Sequence, residues 1–178
     1  MTELSSQRLI YRTLEVDDVT QCYVDWLNDP KINRFLETRF DHQTIDSCKL
    51  YVTAMASSPA HNLFGIYLCD TGKHIGNVKL GFINPHHQRA QLSLFVGEQE
   101  CWGQGYATET INAITAWGFN DLGLEKIDAG CSEENLGSLR AFLKSGYQVE
   151  GFFRKAAVFE GRRIGSFWMS MLKEEFTI

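Results

Sequence analysis

Apolar and polar positions alternate along this chain with two different periods, and the changes of period outline its elements. Arg8 to Leu14 follows the period of two of a half-buried strand. Asp17 or Asp18 can cap a helix running through Leu27, Pro30 opens a second short helix to Leu36, and Thr44 starts a third to about Ala56. Leu63 to Cys69, the turn Asp70 to Lys73, and Ile75 to Ile83 read as a hairpin, and a turn over Asn84 to Gln88 returns the chain as a strand from Ala90 to Val96. From Gly105 onward, Ala107, Ile111, Ile114, Trp117 and Leu122 recur at steps of three and four, while Thr108, Asn112 and Thr115 fall on the other face of a predicted helix. Lys126 to Cys131 reads as a short buried strand, and Leu136 to Ser145 as a helix closed by Gly146. Two last strands, about Tyr147 to Phe159 and Arg163 to Leu172, meet across Glu160-Gly161-Arg162. Helices interleaved with strands make this an α/β chain, and no repeat or low-complexity tract interrupts it.

The junction between Val96 and the helix after Gly105 carries the clearest chemistry. A helix start offers unpaired N–H groups and the positive end of the macrodipole, and Gly103 and Gly105 lack the Cβ that would keep an anion from that backbone. The pattern predicts a phosphate cradle. Gly-Lys-Ser/Thr is missing after the turn, which excludes a Walker loop, and the Gly-x-Gly-x-x-Gly of a dinucleotide-binding unit is missing as well.

Two blocks give the cradle a family context. Trp102-Gly103-Gln104-Gly105-Tyr106-Ala107 resembles the pyrophosphate-binding turn of the GNAT N-acetyltransferases, Gln/Arg-x-x-Gly-x-Gly/Ala, with Trp102 in the Gln/Arg place as in the Rim-type subgroup. Asn135, Ser138, Lys144, Gly146 and Tyr147 match the family's later Asn-x-x-Ser/Ala, helix, Lys-x-Gly-Phe/Tyr pattern at the expected spacing. The resemblance covers about the C-terminal half of the chain. It implies a mixed, mostly antiparallel sheet flanked by helices, with two central strands, Leu92 to Val96 and Ile127 to Cys131, splayed to admit the pantetheine arm of acetyl-CoA. It further implies that the thioester lies near the backbone of Phe95 and Val96, and the pyrophosphate on Gly103, Gln104, Gly105, Ala107 and Thr108.

Composition narrows the context. With 178 residues and 44% hydrophobic content, positions 1–178 suit one domain with one sizeable core. The start Met1-Thr-Glu-Leu-Ser-Ser-Gln7 lacks a basic, then apolar leader, and no run of eighteen apolar residues occurs, so a cytoplasmic location without membrane association is expected. Five widely spaced cysteines without a C-x-x-C pair indicate reduced thiols and no metal site. A net charge of -5 argues against nucleic acid as a partner.

Catalysis by direct attack in a ternary complex needs an amine freed of its proton and a leaving thiolate that receives one. Many GNATs place a Tyr acid where this chain has Phe142, which leaves Ser138 as the nearest donor. Asn135 and Ser138 also fit a helix N-cap and its N3 residue, and Asn135 is a further candidate for pantetheine contact. No base is assigned. Gln91 stands where Rim-type relatives carry Glu, Glu98 lies at a strand end, and His86 and His87 sit in a turn. Trp26 to Glu37 and Ile75 to Asn84 resemble GNATs of cell-surface sugar pathways, which makes a small-molecule amine, a nucleotide-linked amino sugar, the leading acceptor, with Asn28, Arg34, Arg39 and Asn84 as its candidate ligands. A protein N-terminus or a polyamine is the alternative, as is a non-catalytic acyl-CoA-binding module.

Overall fold

The computed structural model describes residues 3–177. Eight strands form one sheet in the order β1-β2-β3-β4-β5-β6-β8-β7: β1 Glu3–Ser5, β2 Leu9–Thr13, β3 Asn62–Leu68, β4 His74–Asn84, β5 Arg89–Val96, β6 Lys126–Ser132, β7 Gln148–Phe159 and β8 Arg162–Leu172. Every neighbouring pair is antiparallel except β5 with β6. That one parallel contact follows from the connection, because the helix α4, Tyr106–Asn120, carries the chain from the end of β5 back to the start of β6. The pairing covers only Arg89 with Lys126, Ala90 with Ile127 and Gln91 with Asp128. Beyond Gln91 the two strands pair only with their outer neighbours, β4 and β8, so a wedge opens in the middle of the sheet.

Helices cover both faces. α4 buries Ile111 and Ile114 completely against Phe64, Ile66, Leu80 and Ile127, each burial stabilising by about 1.5–3 kcal/mol. On the other face α1, Gln21–Asn28, and α3, Ile45–Ala56, enclose Tyr23, Trp26, Cys48 and Val52 with Leu63 and Phe95. Because strand side chains alternate, Leu63 serves one cluster and Phe64 the other; β3 is buried on both sides, which explains its nearly continuous apolar run. α5, Leu136–Lys144, packs on α4 and β6, burying Ala141 and Phe142.

The N-terminal helices depart from the pattern-based expectation. Asp18 does not cap the first long helix: its Oδ2 accepts from the Glu15 amide at 2.8 Å and closes a 3-10 turn over Val16–Asp18. Thr20 caps α1 instead. The helix opened by Pro30, α2, ends at Asn33 rather than Leu36, and a second 3-10 turn spans Glu37–Phe40. After Asn33 the chain tightens, the Leu36 amide donating to the Asn33 carbonyl three residues back at 2.7 Å, while the Asn33 side chain donates to the Leu27 carbonyl at 2.7 Å.

The Trp26 indole lies flat against Gly97, where an added Cβ would come within 2.1 Å of its Cδ2. Gly97→Ala therefore has to displace α1 from the end of β5, and urea unfolding should show a loss of about 1–3 kcal/mol with an unchanged m-value.

Candidate active site

The glycine turn sits at the open end of the wedge. Gly103 and Gly105 have φ of 74° and 85°, in the left-handed region where a Cβ is strained, and a Cβ built on Gly103 meets nothing within 4 Å. The first intrahelical bond of α4 runs from the Glu109 amide to the Gly105 carbonyl, so the amides ahead of Glu109 lack helical partners. The space beside them suits a phosphate. Arg8, which sequence reading overlooked, borders it: its Nε bonds Glu109 at 2.7 Å, one Nη donates to the Gln104 carbonyl at 3.0 Å, and the other lies 3.6 Å from where a Gly105 Cβ would stand. Glu109 also accepts from Ser6 Oγ and the Arg8 amide, both at 2.7 Å, and these bonds hold its carboxyl below the ordinary range against the opposing effect of its partial burial.

Inside the wedge the β5 backbone has two kinds of residue. The Gly97 amide donates to the Ile75 carbonyl at 2.8 Å, so Gly97, Phe95 and Ser93 turn their polar backbone groups to β4, and Val96, Leu94 and Leu92 turn theirs toward the gap. Val96 is thus available to a chain entering the gap, although the Trp102 indole already donates to its carbonyl at 2.7 Å. Phe95 contributes its side chain instead, stacked on Tyr23 with centroids 6.4 Å apart.

Across the gap, Asn135 Oδ1 accepts from the Ser138 amide at 3.2 Å, so the cap is present. The Ser138 side chain remains available and lies against the Cys131 thiol, which burial pushes up to about 11. Phe142 is buried edge-on to Tyr147, with centroids 5.0 Å apart. Of the groups considered as bases, Gln91 lies in the paired part of β5, Glu98 is held by Lys73 at 2.7 Å, and the His86 and His87 amides close a turn onto Asn84 Oδ1 at the far end of the sheet.

A cavity of about 380 Å³ opens beside Ser93, Leu94 and Phe95, under α1, α3 and the Leu36–Thr38 segment. Its walls are aromatic and aliphatic, with Tyr23, Phe35 and Tyr51 among them, and its polar groups are Glu37, Thr38, Gln43, Asn77, Lys79 and Ser93. None of the four candidate acceptor ligands lines it. Asn28 exchanges two 2.9 Å bonds with the Gln43 backbone; Arg39 bonds the Leu36 and Val158 carbonyls and Glu37; Arg34 pairs with Glu160 at 3.6 Å over the Phe35 and Phe159 rings. Asn84 pairs with Arg89, seven residues before Val96, which is about 23 Å away at about 3.3 Å per residue. Among the described residues no group of His, Cys, Asp or Glu suits a metal ion, and no helix is long and apolar enough to cross a membrane.

The chain is similar in sequence and fold to known proteins. The chain is 27% identical over 179 residues to an uncharacterized N-acetyltransferase p20 of Bacillus licheniformis, with 99% of each covered, and 29% identical over 154 residues to the uncharacterized N-acetyltransferase YoaA of Bacillus subtilis, with 85% and 86% covered. In fold it is similar to a spermidine N-acetyltransferase from Vibrio cholerae solved with CoA and spermine: TM-score 0.85, 23% identity, 96% and 98% of the chains covered. It is also similar to a GNAT-family acetyltransferase from Bacillus anthracis: TM-score 0.84, 21% identity, 98% and 100% covered. The family model for the acetyltransferase (GNAT) domain matches residues 8–148, and the chain belongs to that family, the acetyl-CoA-dependent N-acetyltransferases.

Proposed function

We propose that this enzyme acetylates the amino group of an amino sugar, and that the chemistry of the cavity beside Phe95 carries the reading. Aromatic walls suit the apolar C–H face of a sugar ring, and uncharged side chains such as Thr38, Gln43 and Asn77 suit its hydroxyls. A polycation such as the spermine bound by the Vibrio neighbour needs carboxylates. Among the described lining residues Glu37 is the carboxylate, and it is exposed and tied to Arg39 at 3.3 Å. The volume lies at the low end for ligand sites and fits one sugar residue, so a nucleotide linked to it extends outside, toward Lys79 at 3.2 Å from the Tyr51 hydroxyl. In a competition assay, a nucleotide-linked amino sugar should be acetylated faster than spermidine or a peptide N-terminus. Preference for either of the latter overturns the acceptor while leaving acetyl transfer intact.

Acetyl-CoA, when bound, supplies the thioester. In this reading the amides of Gly103, Gln104, Gly105, Ala107 and Thr108 bind its pyrophosphate, and Val96 and Asn135 hold its pantetheine arm, with Phe95 shaping the acceptor side. Two reactants fixed in the wedge need no covalent enzyme intermediate. Gly105→Val forces a branched side chain into a left-handed conformation, and calorimetric titration of the folded variant should show CoA affinity reduced by about tenfold or more.

Ser138, whose amide completes the cap and whose hydroxyl is free of it, donates a hydrogen bond to the departing sulfur or relays a proton to it from water. Ser138→Ala should lower turnover by about tenfold with little change in CoA affinity. Unchanged turnover in the folded variant would leave the residue only its backbone amide in the Asn135 cap.

A further inference from the structure

The beginning of β4 contains an extra residue. Ile66 pairs with Gly76 and Tyr67 with His74, leaving Ile75 without a partner of its own on β3: a β-bulge. In a regular strand, residues three apart face opposite sides, so His74 and Asn77 would be separated by the sheet. The bulge shifts the parity and brings them to one face, where His74 Nε2 lies 2.8 Å from Asn77 Oδ1. The ring is held on three sides, stacked on Tyr67 at 4.7 Å, edge-on to Trp26 at 5.1 Å and tilted against Tyr23 at 6.4 Å, and this burial lowers its pKa.

The same nitrogen lies 2.9 Å from the Gly76 carbonyl, which can only accept. Nε2 therefore carries the proton, the Asn77 atom facing it must also be an acceptor, and the amide orientation is fixed. Asn77 Nδ2 then lies on the side away from the ring, and Asn77 lines the cavity. Asn77 is only 3% exposed, and Nδ2 makes no hydrogen bond in the structure. The Tyr23 hydroxyl lies alongside, but an NH2 group has two donors, so at least one remains for another partner. A buried donor left unmet carries a desolvation cost that a ligand oxygen removes.

We propose that Asn77 is a specificity-determining residue that donates its amide N–H to a hydroxyl or ring oxygen of the acceptor, and that His74 is the positioning residue that aims it. The proposal rests on the amino-sugar reading, and one pair of probes separates the two. Glucosamine and cyclohexylamine share a six-membered ring with a primary amine, and only glucosamine bears oxygens. Wild-type enzyme should favour glucosamine in kcat/KM. Asn77→Leu and the size-conserving Asn77→Asp should each reduce that preference by about tenfold, through the KM for glucosamine, with CoA affinity unchanged. His74→Phe should reduce it in part, and His74→Gln, which keeps an N–H donor, should recover it. If Asn77→Leu does not fold, Asn77→Asp carries the same test. A wild-type preference for glucosamine that persists in the folded Asn77 variants overturns the role of Asn77 and leaves the acceptor class standing. A wild-type enzyme indifferent between the probes, or favouring cyclohexylamine, overturns both.

Discussion

Three residue pairs between β5 and β6 are the constraint on which the rest of the architecture depends. They form the one parallel contact in an antiparallel sheet, and by ending at Gln91 and Asp128 they create the wedge. The contact is stapled from within. Arg89 on β5 reaches the 1% exposed Asp128 on β6 with Nε at 3.0 Å and Nη2 at 2.6 Å, and Lys126 lies 3.8 Å from the other carboxylate oxygen. Burying a carboxylate costs solvation that pairing offsets only in part, so this pair counts more for register than for net stability. A slip by one residue would exchange the faces of β5 and take Phe95 out of the cavity it lines.

At the open end a second electrostatic cluster sets the direction of the backbone. Arg8 comes from the start of β2, is held by Glu109 of α4, and grips the Gln104 carbonyl. A trans peptide points its carbonyl and the following N–H in opposite directions, so fixing Gln104 O aims the Gly105 amide away from Arg8. The turn is thereby preorganised, so a ligand bound there would not have to meet the full cost of ordering it. The positive φ of Gly103 and Gly105 and the pairing of Glu109 across about a hundred positions of sequence serve the same few ångströms of backbone.

Features set by local rules were legible in the sequence. The glycine turn, the helix from Tyr106, the Thr44 cap, the Asn135 cap and the hairpin order each follow from bonds spanning a few residues, and they lie where the pattern puts them. Long-range features were not. Nothing in the periodicity assigns Arg8 to Glu109, and a bulge removes the very period by which His74 would be read. Arg34, Arg39, Asn28 and Asn84 were singled out for their residue types near a suggestive run. In the fold their polar atoms serve backbone carbonyls, an ion pair and turns, because a side chain able to bind a ligand oxygen binds a protein one equally well.

The acceptor side is therefore better read from polar atoms that folding leaves unmet than from polar residues as such. Among the described residues, Thr38 Oγ1, Tyr67 Oη, Asn77 Nδ2, Thr110 Oγ1 and Asp128 Oδ1 are buried without a hydrogen bond. Three of them have compensation nearby: the Tyr67 ring lies beneath the Arg12 guanidinium at 4.1 Å, Thr110 faces the Tyr11 hydroxyl, and Asp128 has Lys126. Thr38 and Asn77 line the cavity, and the Tyr23 hydroxyl beside Asn77 can take only one of its two amide donors. In the core each such atom has a polar or cationic neighbour in the protein, whereas at the cavity Thr38 Oγ1 and one Asn77 donor are left over. Such leftover groups are where a ligand, rather than the protein, can complete the hydrogen bonding.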